Sequence, residues 1–141
     1  MGTHVNEENF EVAKRENSVI LLEDNYQEKY QGFDPNSPES YILFSLNQSS
    51  NIEGSLSLAS KIENEFSKKA GRKSRGVKQA GFQVLWMTTM PSVLVEIGYL
   101  SNTKEEKELN DDKAQDSLAS AIFKAFKDYK NEVESIKLGA D

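Results

Sequence analysis

The chain has 141 residues, the size of one domain, and carries 17 Lys plus Arg against 23 Asp plus Glu for a formal charge of −6. That acidic balance, with no long basic run, argues against nucleic acid as a partner and against a polybasic membrane patch. Cysteine is absent, which excludes disulfides and thiolate chemistry, and no apolar run reaches the length of a membrane span.

In chain order, Phe10, Ala13, Ile20 and Leu21 recur at helical spacing and predict a helix over residues 7–22. The polar stretch "EDNYQEKYQGFDPNSPES", with a Gly and two Pro, reads as a loop or connector. Ser37 followed by Pro38 marks a helix start, and "YILFSL" supplies its apolar face. A second helix follows with Leu56, Ala59, Ile62 and Phe66 on one stripe, stopping near Lys68, Lys69 and Gly71. "AGRKSRGVKQAG" is a basic, Gly-rich loop, and "FQVLW" and "SVLVEIG" read as two short strands. Asn102 is placed to cap a helix whose third residue is Glu105. The last helix carries Leu118, Ile122, Phe126, Tyr129 and Val133 on one stripe, with Ile122, Phe123 and Phe126 expected in the core. Two short strands are too few for a stable sheet beneath so much amphipathic helix.

One residue breaks the pattern of the second strand. Along "PSVLVEIG", Val93 and Val95 face one side, while Ser92, Leu94 and Glu96 face the other. A carboxylate at the end of an apolar strand is partly desolvated, which raises its pKa toward the range useful for general acid/base chemistry. Spacing alone leaves a second role open, in which Glu96 satisfies backbone donors of the adjoining turn or pairs with a lysine.

The run Pro91, Val93 to Val95, Glu96, Gly98, Tyr99, Ser101 and Asn102, followed by "KEEKEL" and preceded by "RGVKQAGFQVL", resembles the C-terminal part of the zinc-dependent N-acetylmuramoyl-L-alanine amidases. The match covers residues 72–130 closely and the helical region before it more loosely. The resemblance implies hydrolysis of the amide between the lactyl group of muramic acid and the first L-alanine of the peptidoglycan stem. It implies that Glu96 is catalytic, taking a proton from zinc-bound water and handing it to the leaving amine. Zinc supports this by lowering the pKa of its water from ~16 to ~7. The implied fold class is α/β, the C-terminal portion of a mixed-sheet amidase domain with flanking helices, helix-rich as given. The implied location is periplasmic or extracellular, in the bacterial envelope.

The family's zinc ligands are two histidines and a glutamate, all lying before the region matched here. The chain has one histidine, His4, and no such motif surrounds it. Its neighbours Glu7 and Glu8 make a poor set with it, so no metal-ligating residue is assigned. The expectation is therefore a partial catalytic domain over 1–136, with 16–54 as a candidate regulatory insert and 137–141 as a tail. Such a fragment lacks the zinc-binding half, is inactive alone, and can self-associate to cover an exposed sheet edge. Residues 16–54 resemble the extra segment of regulated, division-associated amidases, in which a helix covers the zinc site until an activator protein withdraws it. Glu16 and Glu23 are the candidate inhibitory carboxylates, against the plainer reading of a solvated connector. Tyr26, Tyr30, Phe33 and Tyr41 are either core or partner contacts. Arg75, Lys78 and Gln79 belong to a loop near Glu96, with Arg75 and Gln79 the candidate contacts to stem-peptide carboxylates or carbonyls; a solvated basic turn is the alternative. A different class of function also fits the same residues, a non-catalytic module binding peptidoglycan or an activator. A helical interaction protein unrelated to amidases has to treat the long motif as chance.

Overall fold

The computed structural model describes residues 7–48, 50–69, 71 and 74–138, and the backbone there is predominantly helical. The helix predicted over 7–22 is divided. Helix α1 (Glu7–Asn17) gives way to a 3₁₀ turn at Ser18–Leu22. The Ser18 hydroxyl donates to the Lys14 carbonyl at 2.6 Å, and the β-branched pair Val19–Ile20 follows, a combination that favours tightening over continuation. The polar stretch expected as a connector holds a short helix, α2 (Tyr26–Lys29), and buries Phe33 and Pro35 fully. Its aromatic residues give it something to bury, so composition misread it.

Helix α3 (Pro38–Gln48) opens on Pro38 as predicted, where the missing N–H costs nothing. Helix α4 (Ile52–Lys69) stops just before Gly71, whose φ of +60° suits a residue without a Cβ. Beyond a 3₁₀ turn at Gln83–Leu85 come α5 (Thr103–Leu109) and α6 (Asp112–Leu138).

The two predicted strands are absent. "FQVLW" contains the 3₁₀ turn, residues 91–99 are irregular, and no strand occurs among the described residues. A strand exists only when a neighbour accepts its N–H groups and donates to its carbonyls. Two short segments without further strands have no ladder to join. The helix-rich part of the expected α/β class is therefore present, and the mixed sheet has no counterpart among these residues.

The chain forms two compact units, one from the residues up to Ile52 with Lys78–Ser92, the other from Glu53–Val77 with Val93 onward. In the first, Ala13, Ile20, Phe33 and Tyr41 are buried, with Phe10, Tyr26, Tyr30, Ala80, Phe82 and Trp86 packed around them. Phe33 meets Tyr41 and Trp86 edge-on at ring distances of 5.6 and 4.7 Å. The tyrosines and Phe33 left open between core and partner contact thus belong to a core. From "YILFSL", however, only Tyr41 is buried among the residues whose side chains are described; Ile42, Leu43 and Leu46 are exposed. Asn17, 4% exposed, ties this unit together: its amide donates to Gly81 O at 2.7 Å and to the Tyr41 hydroxyl at 3.2 Å, and its oxygen accepts from Gln83 N at 2.8 Å.

In the second unit α4 contributes Leu58, Ile62 and Phe66, and α6 contributes Leu118, Ala121 and Ala125. The α4 stripe passes through Leu58 rather than Leu56 and Ala59, which are only half-buried. On α6 the small alanines face inward, turning Phe123 and Phe126 outward to 69% and 53% exposure, contrary to the expectation that they lie in the core. The helix turns the stripe of Leu118, Ala121 and Ala125 toward the core cluster, and its two phenylalanines lie off that stripe. Glu65 is buried on α4, where the Lys124 ammonium, 2.8 Å away, compensates its charge and holds its carboxyl below the usual range.

Candidate functional site

Val93 and Val95 pack against the core of the second unit, while Leu94 and Glu96 are exposed. The alternation predicted for a strand is therefore present without a strand, because core packing alone enforces it. Glu96 is exposed, not partly desolvated as expected. It makes no hydrogen bond or ion pair with any described residue.

The turn after Glu96 is held tightly. Gly98 has φ +154°, and a Cβ there would lie 3.1 Å from Glu105 Oε2 and 3.3 Å from Leu109 Cδ1. Tyr99 N donates to Glu105 Oε2 at 2.8 Å. Asn102 caps α5 as predicted, its side-chain oxygen accepting from Lys104 N at 3.0 Å and Glu105 N at 3.3 Å. In an ordinary capping box the third-position Glu reaches back to the cap residue's own N–H; here it reaches further, to Tyr99. The role left open for Glu96, satisfying the donors of this turn, falls to Glu105 instead.

Arg75 lies in the same unit. Its guanidinium donates to Glu105 Oε1 at 2.9 Å and sits over the Tyr99 ring, 4.5 Å from the centroid. One oxygen of Glu63 on α4 accepts from Arg75 N and Gly76 N, each at 3.0 Å, and from the Ser74 hydroxyl. The Ser74 bond, with the two backbone N–H groups, holds the Glu63 carboxyl below its usual range against the opposing effect of burial.

The other predicted site residues fall in the first unit. Gln79 is exposed. Glu16 is half-exposed and paired with its neighbour Arg15 at 3.6 Å. Glu23 accepts from the Lys29 ammonium and, at 2.6 Å, from the Tyr30 hydroxyl, and these bonds lower its pKa. Asn17, Glu63 and Glu105 were not singled out as organising residues from the sequence. Only Glu105 left a signal there, its place three residues after the cap.

Among the described residues no donor set fits zinc. The chain has one histidine and no cysteine, and no group of three His, Cys, Asp or Glu side chains among the described residues could hold a metal. His4 lies outside the described residues. No helix among them is long and apolar enough to cross a membrane.

The family model described as N-acetylmuramoyl-L-alanine amidase matches residues 5–128. "Probable cell wall amidase LytH" of Staphylococcus epidermidis is 38% identical over 73 residues, which are 52% of this chain and 25% of that protein. "N-acetylmuramoyl-L-alanine amidase AmiA" of Escherichia coli is 37% identical over 81 residues, 57% of this chain and 28% of that protein. "N-acetylmuramoyl-L-alanine amidase AmiC", also of Escherichia coli, is 34% identical over 89 residues, 63% and 21% of the two chains. The chain thus spans 21–28% of the length of these curated relatives. No solved structure matches it.

Proposed function

The chain belongs to the N-acetylmuramoyl-L-alanine amidase family, and from that premise we propose that it supplies the proton-transfer carboxylate of a peptidoglycan amidase, Glu96. The reaction is hydrolysis of the amide joining the lactyl group of N-acetylmuramic acid to L-alanine. Water adds to the carbonyl carbon while Glu96 accepts its proton. The same proton passes to the nitrogen as the C–N bond breaks, giving a lactyl carboxylic acid and the amine of L-alanine; the acid then gives up its remaining proton to that amine, leaving carboxylate and ammonium.

The observation that carries this reading is the state of Glu96. It follows core-anchored Val95, is exposed, and has no partner among the described residues, while Glu105 serves the adjoining turn. A carboxylate left unengaged where the surrounding backbone is fixed is available for chemistry rather than for structure. No group of metal-binding side chains occurs among the described residues, so no step here is routed through zinc, and the isolated chain is expected to turn over nothing. In a protein that carries this chain together with metal-binding residues, Glu96→Gln should retain fold and metal and lose ~10²- to 10⁴-fold in turnover. Near-normal turnover would remove Glu96 from the mechanism.

The mixed sheet of the α/β class belongs to this proposal, as does a location in the bacterial envelope, periplasmic or extracellular. So do control by an activator acting through Glu16 or Glu23, substrate contacts by Arg75 and Gln79, and self-association of the isolated chain. The second reading, a non-catalytic module binding peptidoglycan or an activator, draws on the misfit between the donor set and zinc. Peptidoglycan binding with no turnover even beside a complete metal site favours it.

A further inference from the structure

We propose that Arg75 and Glu105 are positioning residues for Glu96, forming a clamp that fixes the backbone on its C-terminal side. The proposal rests on the reading of Glu96 as the proton carrier, and it gives Arg75 a different task from the substrate contact expected from sequence.

Glu96 is bracketed at short range. Val95, immediately before it, is partly buried and packed against the core cluster of the second unit. Tyr99, three residues after it, donates its N–H to Glu105 on α5, and Gly98, two residues after it, leaves room beside that carboxylate for no more than a tightly fitting Cβ. Only Glu96 and Ile97 lie between the two anchors, and both are exposed. An extended residue covers about 3.3–3.6 Å, so a span this short transmits any shift of Tyr99 directly to the direction of the Glu96 side chain.

Glu105 holds the far anchor with both oxygens. Oε2 takes the Tyr99 N–H at 2.8 Å; Oε1 takes the Arg75 guanidinium at 2.9 Å and the Asn102 amide at 3.3 Å. Arg75 closes the ring by lying over the Tyr99 side chain, so one cation grips the carboxylate that holds the Tyr99 backbone and the ring of the same residue. Arg75 is itself held from behind, its N–H on Glu63. Arginine suits this because its flat fork both pairs with a carboxylate and stacks on a ring. A lysine ammonium can pair but cannot stack in the same way. A guanidinium spent on these two contacts has its orientation set by the clamp, not by a substrate.

The test uses amidase kinetics of a protein in which this chain is joined to metal-binding residues, with Arg75→Lys and Glu105→Gln, each alone and combined with Glu96→Gln. Misplacement of a catalytic group predicts a fall in kcat on the order of 10- to 100-fold with KM little changed. In the Glu96→Gln background the same substitutions should cost nothing further, because there is no proton carrier left to misplace. In the 141-residue chain, Arg75→Lys should also speed hydrogen exchange at the Tyr99 amide while leaving the Val95 amide unchanged. A rise in KM at constant kcat would make Arg75 a substrate ligand and overturn the clamp. Losses that multiply with that of Glu96→Gln would overturn it too, as would unchanged exchange at Tyr99. Near-normal turnover of Glu96→Gln alone overturns the underlying reading, an outcome distinct from the other three.

Discussion

Replacing Gly98 by alanine places a Cβ in tight contact with two side-chain atoms. Glu105 Oε2 would be 3.1 Å away and Leu109 Cδ1 3.3 Å, both tighter than ordinary van der Waals contact. The backbone angle of +154° adds strain for any L side chain, a cost of about 1–3 kcal/mol. Glu105 can yield only by loosening its 2.8 Å bond from Tyr99 N, and a charge-assisted bond of this kind is worth about 1.5–3 kcal/mol when fully lost. Partial loss of the bond with the backbone strain gives about 2–4 kcal/mol of destabilisation. Urea unfolding of the 141-residue chain at neutral pH, followed by far-UV circular dichroism, reads this directly. Gly76→Ala is the control: φ there is +72° and nothing lies within 4 Å of the added carbon, so it carries only the left-handed penalty of about 1–2 kcal/mol. Equal costs for the two alanines would show that the close approach to Glu105 contributes nothing. A change at Gly98 below about 0.5 kcal/mol, the ordinary range for an unremarkable surface site, would refute the geometry of the turn altogether.

Asn17→Ala should destabilise by about 2–4 kcal/mol, because it removes three hydrogen bonds at a buried position and strands Gln83 N and Gly81 O; a near-neutral urea midpoint contradicts this. Glu63, whose folded pKa lies below its ordinary value of 4.5, contributes stability that is present above about pH 4.5 and is lost as pH falls through the folded value. Stability measured across that acid range should therefore decline less steeply in Glu63→Gln than in the parent chain, and parallel curves count against the bonds from Ser74, Arg75 and Gly76. If an activator works by withdrawing a carboxylate, Glu16→Gln should raise basal turnover more than Glu23→Gln, since Glu23 is engaged by Lys29 and Tyr30. The reverse order, measured in the metal-loaded protein without activator, would reassign that role. Deleting residues 24–36 is no substitute for these point changes, because Phe33 and Pro35 within that segment are fully buried.

What the sequence determined by itself is what lies within three or four residues. Pro38 opens α3, Gly71 follows the end of α4, and Asn102 caps α5, because each acts on backbone groups of its own turn. The alternation of Val93 and Val95 against Leu94 and Glu96 is legible as an apolar–polar pattern, although core packing enforces it, and the motif that places the chain in its family is legible directly. Tertiary structure decided the rest. Whether "FQVLW" and "SVLVEIG" become strands depends on partners to complete a ladder, and no periodicity in the segments themselves supplies those. Phe123 and Phe126 are exposed because hydrophobicity names what can be buried, while the tertiary packing put the stripe of Leu118, Ala121 and Ala125 in the core. Asn17 bonds residues 64 and 66 positions away, and Arg75 meets Glu105 across 30. Polar pairs at such separations leave no local pattern, since the chain between them is what brings them together.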